Sequence, residues 1–121
     1  MLKTLVIGVS DKPQRYANKA LNLLQKYNQE VLAIGRREMN IDGVDVHTDQ
    51  PYFKDIHTVT LYLNAKNQQD YYEYIISLKP KRVIFNPGTE NPKFYPKLKA
   101  ENIKIEEACT LVLLSTNQYE P

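Results

Sequence analysis

The run Leu5-Val6-Ile7-Gly8-Val9-Ser10 is strand-length and largely β-branched, and it breaks at Gly8 into a polar loop that leads into a helical pattern. A short run of this kind reads as a buried strand. A glycine at its carboxyl end lets the backbone turn sharply and approach a ligand with no Cβ in the way. The helix that follows offers unpaired N–H groups and a partial positive charge at its start, which favour an anion such as a pyrophosphate. The full G-x-G-x-x-G pattern is missing, because Ser10 stands at the second glycine position and Arg15 or its neighbours at the third. The run therefore fits a nucleotide site or simply the first strand of any α/β domain.

The rest of the chain repeats the alternation. Ala17, Ala20, Leu21 and Leu24 form one helical face that ends near Tyr27-Asn28. Glu30 to Ile34, closed by Gly35, reads as a strand, and the helix before it is long enough for a crossover between parallel neighbours. Asp42-Gly43 marks a turn, Val44 and Val46 a brief strand, and Gln50 to Asp55 a loop or short turn of helix. Thr58 to Leu63 reads as a strand, and Tyr71, Tyr74, Ile75 and Leu78 return to helical spacing until Pro80. Val83 to Phe85 is the next strand, broken by Asn86-Pro87-Gly88. Asn91-Pro92 resembles a helix start that Pro96 kinks or delays. Ile103 to Ile105 gives the last strand and Thr110 to Ser115 a short apolar helix. Strands apolar throughout and alternating with helices predict a mostly parallel sheet covered on both faces, a three-layer α/β/α sandwich. Leu5 to Gly8 is expected at its centre, between Val31 to Ile34 and Thr58 to Leu63.

With 121 residues, 42% hydrophobic and 25% charged, the sequence accommodates one domain with one core, residues 1–121. No apolar stretch approaches the roughly 18 residues that span a bilayer. The single cysteine, Cys109, has no internal disulfide partner. Both points suit a cytoplasmic location. A net charge of +2 argues for neither nucleic acid nor an acidic membrane surface. The string Lys79-Pro80-Lys81-Arg82 reads as a solvated helix-to-strand connection.

In an open α/β sheet the ligand crevice lies beyond the carboxyl ends of the strands, where strand order reverses. Three segments are expected there: the loop from Gly8 to Tyr16, Gly35-Arg36-Arg37, and Asn86-Pro87-Gly88-Thr89. An NAD site usually carries an acidic residue at the end of the second strand, whereas arginine suits a phosphorylated ribose through its planar fork. Arg36 and Arg37 therefore point to NADP or coenzyme A, or are solvated loop charges. His47 and His57 lack partners at metal-ligand spacing and read as structural. Ser10 lacks a G-x-S-x-G elbow. Glu106 and Glu107 can reach the crevice as a general base or cap the following helix, and capping is the expected role. Tyr71, Tyr72 and Tyr74 are expected to pack on the sheet.

Gly8-Val9-Ser10 with Pro13, Arg15 and Tyr16, the Arg36-Arg37 exit, and Asn86-Pro87-Gly88-Thr89-Glu90-Asn91 followed by Glu107-Ala108-Cys109-Thr110 resemble the small stand-alone coenzyme A-binding domain proteins. That family is similar to the nucleotide-binding half of the succinyl-CoA synthetase alpha subunit, a Rossmann-like domain. The resemblance spans nearly the whole chain. It implies that the loop carrying Gly8, Ser10, Pro13, Arg15 and Tyr16 cradles the coenzyme's phosphates, and that Gly35 and Asn86 to Thr89 line the rest of the groove. Many relatives have Gly-Ala-Ser where this chain has Gly8-Val9-Ser10. The resemblance implies binding of coenzyme A or an acyl-CoA by a non-catalytic binding or regulatory module, the alternative being a small NADP-dependent oxidoreductase. Cys109, just past the last strand, is expected either near the groove, where the coenzyme's thiol arm could form a mixed disulfide with it, or packed as an ordinary core cysteine. The expected partner is thus a small nucleotide ligand, with oligomeric state left open.

Overall fold

In the computed structural model, which describes residues 1–121, the first apolar run is the central strand β1 (Lys3–Val9), followed by helix α1 (Tyr16–Lys26) and strand β2 (Glu30–Gly35). The chain then forms a hairpin of β3 (Met39–Ile41) and β4 (Val44–His47), returns as β5 (Thr58–Leu61), and passes through the short α2 (Ala65–Gln68) and a 3-10 turn into α3 (Tyr72–Leu78). Strand β6 (Arg82–Phe85), α4 (Tyr95–Ala100), β7 (Lys104–Glu107) and α5 (Thr110–Ser115) complete it. The seven strands lie in the order β3-β4-β2-β1-β5-β6-β7. All pairs are parallel except β3 with β4. No helix is long and apolar enough to cross a membrane.

The architecture is the expected three-layer Rossmann-like α/β sandwich, and the order reverses beside β1, between β2 and β5. Two clusters make its core. Leu5 and Ile7 of β1 face α3 and α4 with Val59, Leu61, Val83, Phe85, Ile75 and Leu98. Val6 and Val9 face α1 and α5 with Leu21, Leu24, Ala33 and Leu114. Ile7 and Val9 lie on opposite faces although strand alternation would put them together. Gly8 between them is an inserted residue: Ile7 pairs with Ile34 and Val9 with Gly35. Its φ of 103° is glycine territory. This bulge lifts the chain off the sheet towards the loop before α1.

Several expectations need correction. Met39–Ile41 is a strand with no apolar run to announce it; Asp42 and Gly43, with φ of 49° and 87°, form the two-residue turn that folds it back on β4. Strand β5 ends at Leu61, not Leu63, although the Tyr62 amide still donates to the Ile7 carbonyl at 2.9 Å. Asn91 caps no helix: it is buried, its carbonyl accepts from the Phe94 amide, and α4 starts at Tyr95 with Pro96 in its first turn. The last strand is Lys104–Glu107, later than Ile103 to Ile105. Glu106 and Glu107 do not cap α5; Glu106 lies near Arg82 and Lys104, and Glu107 accepts from the Tyr95 hydroxyl.

Arg82 is not solvated. It is only 4% exposed, donates from Nε to Thr58 Oγ1 (3.1 Å) and from Nη1 to the Tyr119 carbonyl (2.9 Å), and lies 4.6 Å from the centre of the Tyr119 ring. Its Nη2 has no partner. This buried cation sits at the amino end of β6, the end of the strand remote from Phe85.

Candidate functional site

Beyond the carboxyl ends of β1, β2, β5 and β6 lies a cavity of about 780 Å³, within the range of small-molecule pockets. Its first wall is the β1–α1 connection: Gly8, Val9, Ser10, Asp11, Lys12, Arg15 and Tyr16. Asn18 of α1 is buried and donates to the Ser10 carbonyl at 2.9 Å, while the Lys12 amide donates to Ser10 Oγ at 3.2 Å. The loop is thus held from beneath. Arg15 supplies no side-chain cap to α1, so the helix start keeps unpaired N–H groups. Pro13 is exposed in this loop and off the cavity wall.

The second wall is the exit of β2, where Gly35, Arg36 and Arg37 line the cavity. A Cβ on Gly35 would sit 2.6 Å from the Val9 carbonyl oxygen and 3.0 Å from Val46 Cγ1, so glycine is required by the close approach of β1 and β2 beside the bulge. Arg37 Nη2 lies 2.8 Å from Asp11 Oδ2, an ion pair that joins the first two walls, whereas Arg36 makes no ion pair.

Pro87, Gly88 and Thr89 form the wall beyond β6. The Thr89 amide donates to the Asn86 carbonyl at 2.9 Å and Gly88 has φ of 92°, the pattern of a tight turn with proline at its second position and glycine at its third. Asn86 itself is buried beneath the wall. Its Nδ2 donates to Thr60 Oγ1 (2.7 Å) and the Leu61 carbonyl (2.9 Å), and its Oδ1 accepts from the Thr110 amide (2.9 Å). The structure therefore places Asn86 as the tie between β5, β6 and α5, off the cavity wall.

The exit of β5 contributes Tyr62, Leu63 and Asn64, with Asn67 and Tyr71 beyond them. Tyr62, Leu63, Asn64 and Asn67 carry no site signal in the sequence, because no glycine marks this exit, whereas Tyr71 is expected from its helical spacing to pack on the sheet. The usable signal was position: the strand beside the order reversal must line the crevice. Tyr71 is on the wall, whereas Tyr74 is buried and Tyr72 stacks on Phe94 at 4.2 Å. Buried Gln68 joins the β5 and β6 exits, donating from Nε2 to the carbonyls of Leu63 (2.8 Å) and Thr89 (2.7 Å) and accepting from Asn91 Nδ2 (2.9 Å).

Burial pushes the Tyr62 phenol well above its ordinary value, and its hydroxyl has no aligned partner although the Thr60 and Thr110 hydroxyls are near. Cys109 is half-buried at the start of α5, near Tyr62 and not on the cavity wall. His47 packs edge-on against Phe53 at 5.5 Å, and His57 Nδ1 pairs with Thr58 Oγ1 at 2.8 Å.

The charge on the wall is lopsided. Lys12, Arg15, Arg36 and Arg37 face a single acid, Asp11. Such a surface attracts an anion with more than one charged centre.

A family model described as a CoA binding domain matches residues 3–115. A solved structure of an uncharacterized protein is 42% identical, with a TM-score of 0.94 and coverage of 98% of each chain. A hypothetical protein from Pyrococcus horikoshii OT3 is 22% identical, with a TM-score of 0.86 over 93% of this chain and 81% of that one. The dinucleotide-forming acetyl-coenzyme A synthetase 1 of Ca. Korarchaeum cryptofilum, in complex with phosphate and ADP, is 11% identical, with a TM-score of 0.72 over 88% of this chain and 25% of that one. These last two likenesses concern the fold alone. No curated protein matches the chain.

Proposed function

The chain belongs to the CoA binding domain family, and we propose that its groove binds coenzyme A or an acyl-CoA as a non-catalytic binding or regulatory module. The observation that carries this reading is the set of four basic side chains against one acid around a single cavity at the strand ends. Coenzyme A offers a matching anion, a pyrophosphate and a ribose 3′-phosphate of about −1.5 to −2 charge. In this reading the Ser10 to Tyr16 loop and the start of α1 hold the pyrophosphate. Arg36 and Arg37 take the ribose phosphate through charge-assisted hydrogen bonds. The wall of Pro87, Gly88 and Thr89 takes the pantetheine arm, with Asn86 supporting it from below. Pro13 shapes the phosphate loop without touching the ligand, and Cys109 lies behind Tyr62, near the arm's thiol end.

Calorimetry with coenzyme A, dephospho-coenzyme A and NADP tests the reading. A charge-assisted contact contributes on the order of 1.5 to 3 kcal/mol. Changing Arg36 and Arg37 together to alanine should therefore weaken coenzyme A binding by roughly ten- to a hundredfold and nearly erase the preference over dephospho-coenzyme A. Equal affinity of the native protein for those two ligands would show that the arginines do not read the phosphate. Tighter binding of NADP than of coenzyme A would transfer the site to the oxidoreductase reading.

A further inference from the structure

The one acid on the cavity wall is paired with one of the two arginines expected at the ribose phosphate. Asp11 follows β1, Arg37 follows β2, and their 2.8 Å contact spans the gap between the two loops. Both side chains are largely open to solvent, at 50% and 70% exposure, so the pair is not locked by packing. Arg36, next in sequence and on the same wall, has no acidic partner. The two arginines are therefore unequal: one is available to an incoming phosphate and the other is already engaged.

We propose that Asp11 is a resident competitor of the ligand phosphate for Arg37, and that it tempers the affinity of this groove for a phosphorylated ribose. The inference rests on the coenzyme A reading of the site. A phosphate monoester carries more charge than a carboxylate and has three acceptor oxygens against two, so it displaces Asp11 from the guanidinium fork. An exposed ion pair contributes little to stability, so the exchange requires no refolding. Its cost appears as weaker binding of ligands with a phosphorylated ribose alone. A ligand with a bare ribose diol cannot displace the carboxylate and leaves the pair intact. Asp11 thus holds down the preference for the phosphorylated ligand and keeps that ligand readily releasable.

A double-mutant cycle separates this exchange from the general repulsion that any acid exerts on an anionic ligand. Coenzyme A and dephospho-coenzyme A are titrated calorimetrically at low ionic strength into the native protein, Asp11→Asn, Arg37→Gln and the double variant. Asp11→Asn should tighten coenzyme A binding about two- to fivefold. It should tighten dephospho-coenzyme A less, and the gain should vanish when Arg37 is glutamine. Unchanged or weaker coenzyme A binding by Asp11→Asn overturns the inference. So does an equal gain for both ligands that persists in the Arg37→Gln background, because Asp11 is then only a nearby charge. Either result leaves the coenzyme A reading standing. Native protein that binds neither ligand removes that reading, and this inference with it.

Discussion

Replacing Asn86 by alanine removes three hydrogen bonds from a side chain that is 2% exposed. Thr60 Oγ1 keeps its partner in the Thr110 hydroxyl, at 2.8 Å. The Leu61 carbonyl and the Thr110 amide lose the Asn86 amide group. A buried polar group left unpaired costs about 1–3 kcal/mol, so two such groups give an expected loss of about 2–6 kcal/mol. That is a large share of the roughly 5–15 kcal/mol that holds a domain of this size together. Urea denaturation followed by far-ultraviolet circular dichroism measures it. The companion change Asn86→Asp keeps the acceptor towards the Thr110 amide but sets a carboxylate against the Leu61 carbonyl. Its folded-state pKa must rise above the unfolded value of about 3.9. The native state then holds its proton to higher pH than the unfolded chain, so the deficit is full above the raised pKa and shrinks as pH falls through it. A loss under about 1 kcal/mol for Asn86→Ala would refute the reasoning, because buried, well-paired backbone groups cannot be orphaned that cheaply. So would an Asn86→Asp deficit that does not change with pH.

Gly35→Ala should destabilise the protein by about 1–3 kcal/mol, because its Cβ meets the Val9 carbonyl oxygen at 2.6 Å; an unchanged thermal midpoint would mean that β1 and β2 separate freely beside the bulge. Burial, then the charges of Arg82 and Lys81, lowers the pKa of His57, against a smaller opposing effect of Glu120. The folded state therefore resists the proton that the unfolded chain accepts near pH 6.5, and stability should fall as pH drops from about 7.5 to 5.5. His57→Gln should flatten that part of the urea-midpoint profile, and an identical slope in the variant would assign the effect to other groups.

The sheet was legible because its inner strands carry their own signature. Leu5 to Ile7, Val31 to Ile34 and Val83 to Phe85 are apolar runs that only a sheet covered on both faces can bury. Met39-Asn40-Ile41 has no such signature: with three residues and a polar centre, it is a strand because the Asp42-Gly43 turn folds it against Val44–His47. Arg82 misled because charge in a string of lysines reads as exposure, yet its side chain lies under the Tyr119 ring. At the site, glycines marked the exits of β1, β2 and β6, where the backbone turns or must pack closely. They could not mark the β5 exit, whose Tyr62-Leu63-Asn64 reaches the cavity through strand order alone. Asn86 lies one residue from the wall but faces into the sheet, a distinction of a single residue that spacing does not resolve.

The outermost strands decide how the molecule behaves towards its own copies. Every open sheet ends in a row of unpaired N–H and C=O groups that can recruit another chain. On one border that row is only Met39–Ile41 long, too brief to template much pairing. On the other, Lys104, Glu106 and Glu107 put charge on three of the four residues of β7. Annealing of two sheets into one continuous ribbon is therefore discouraged at both margins, for different reasons. A fold whose parallel strands must find partners distant in sequence, and so assembles slowly, spends longer with such borders open, and these margins lower the hazard of fibre-like growth during that interval.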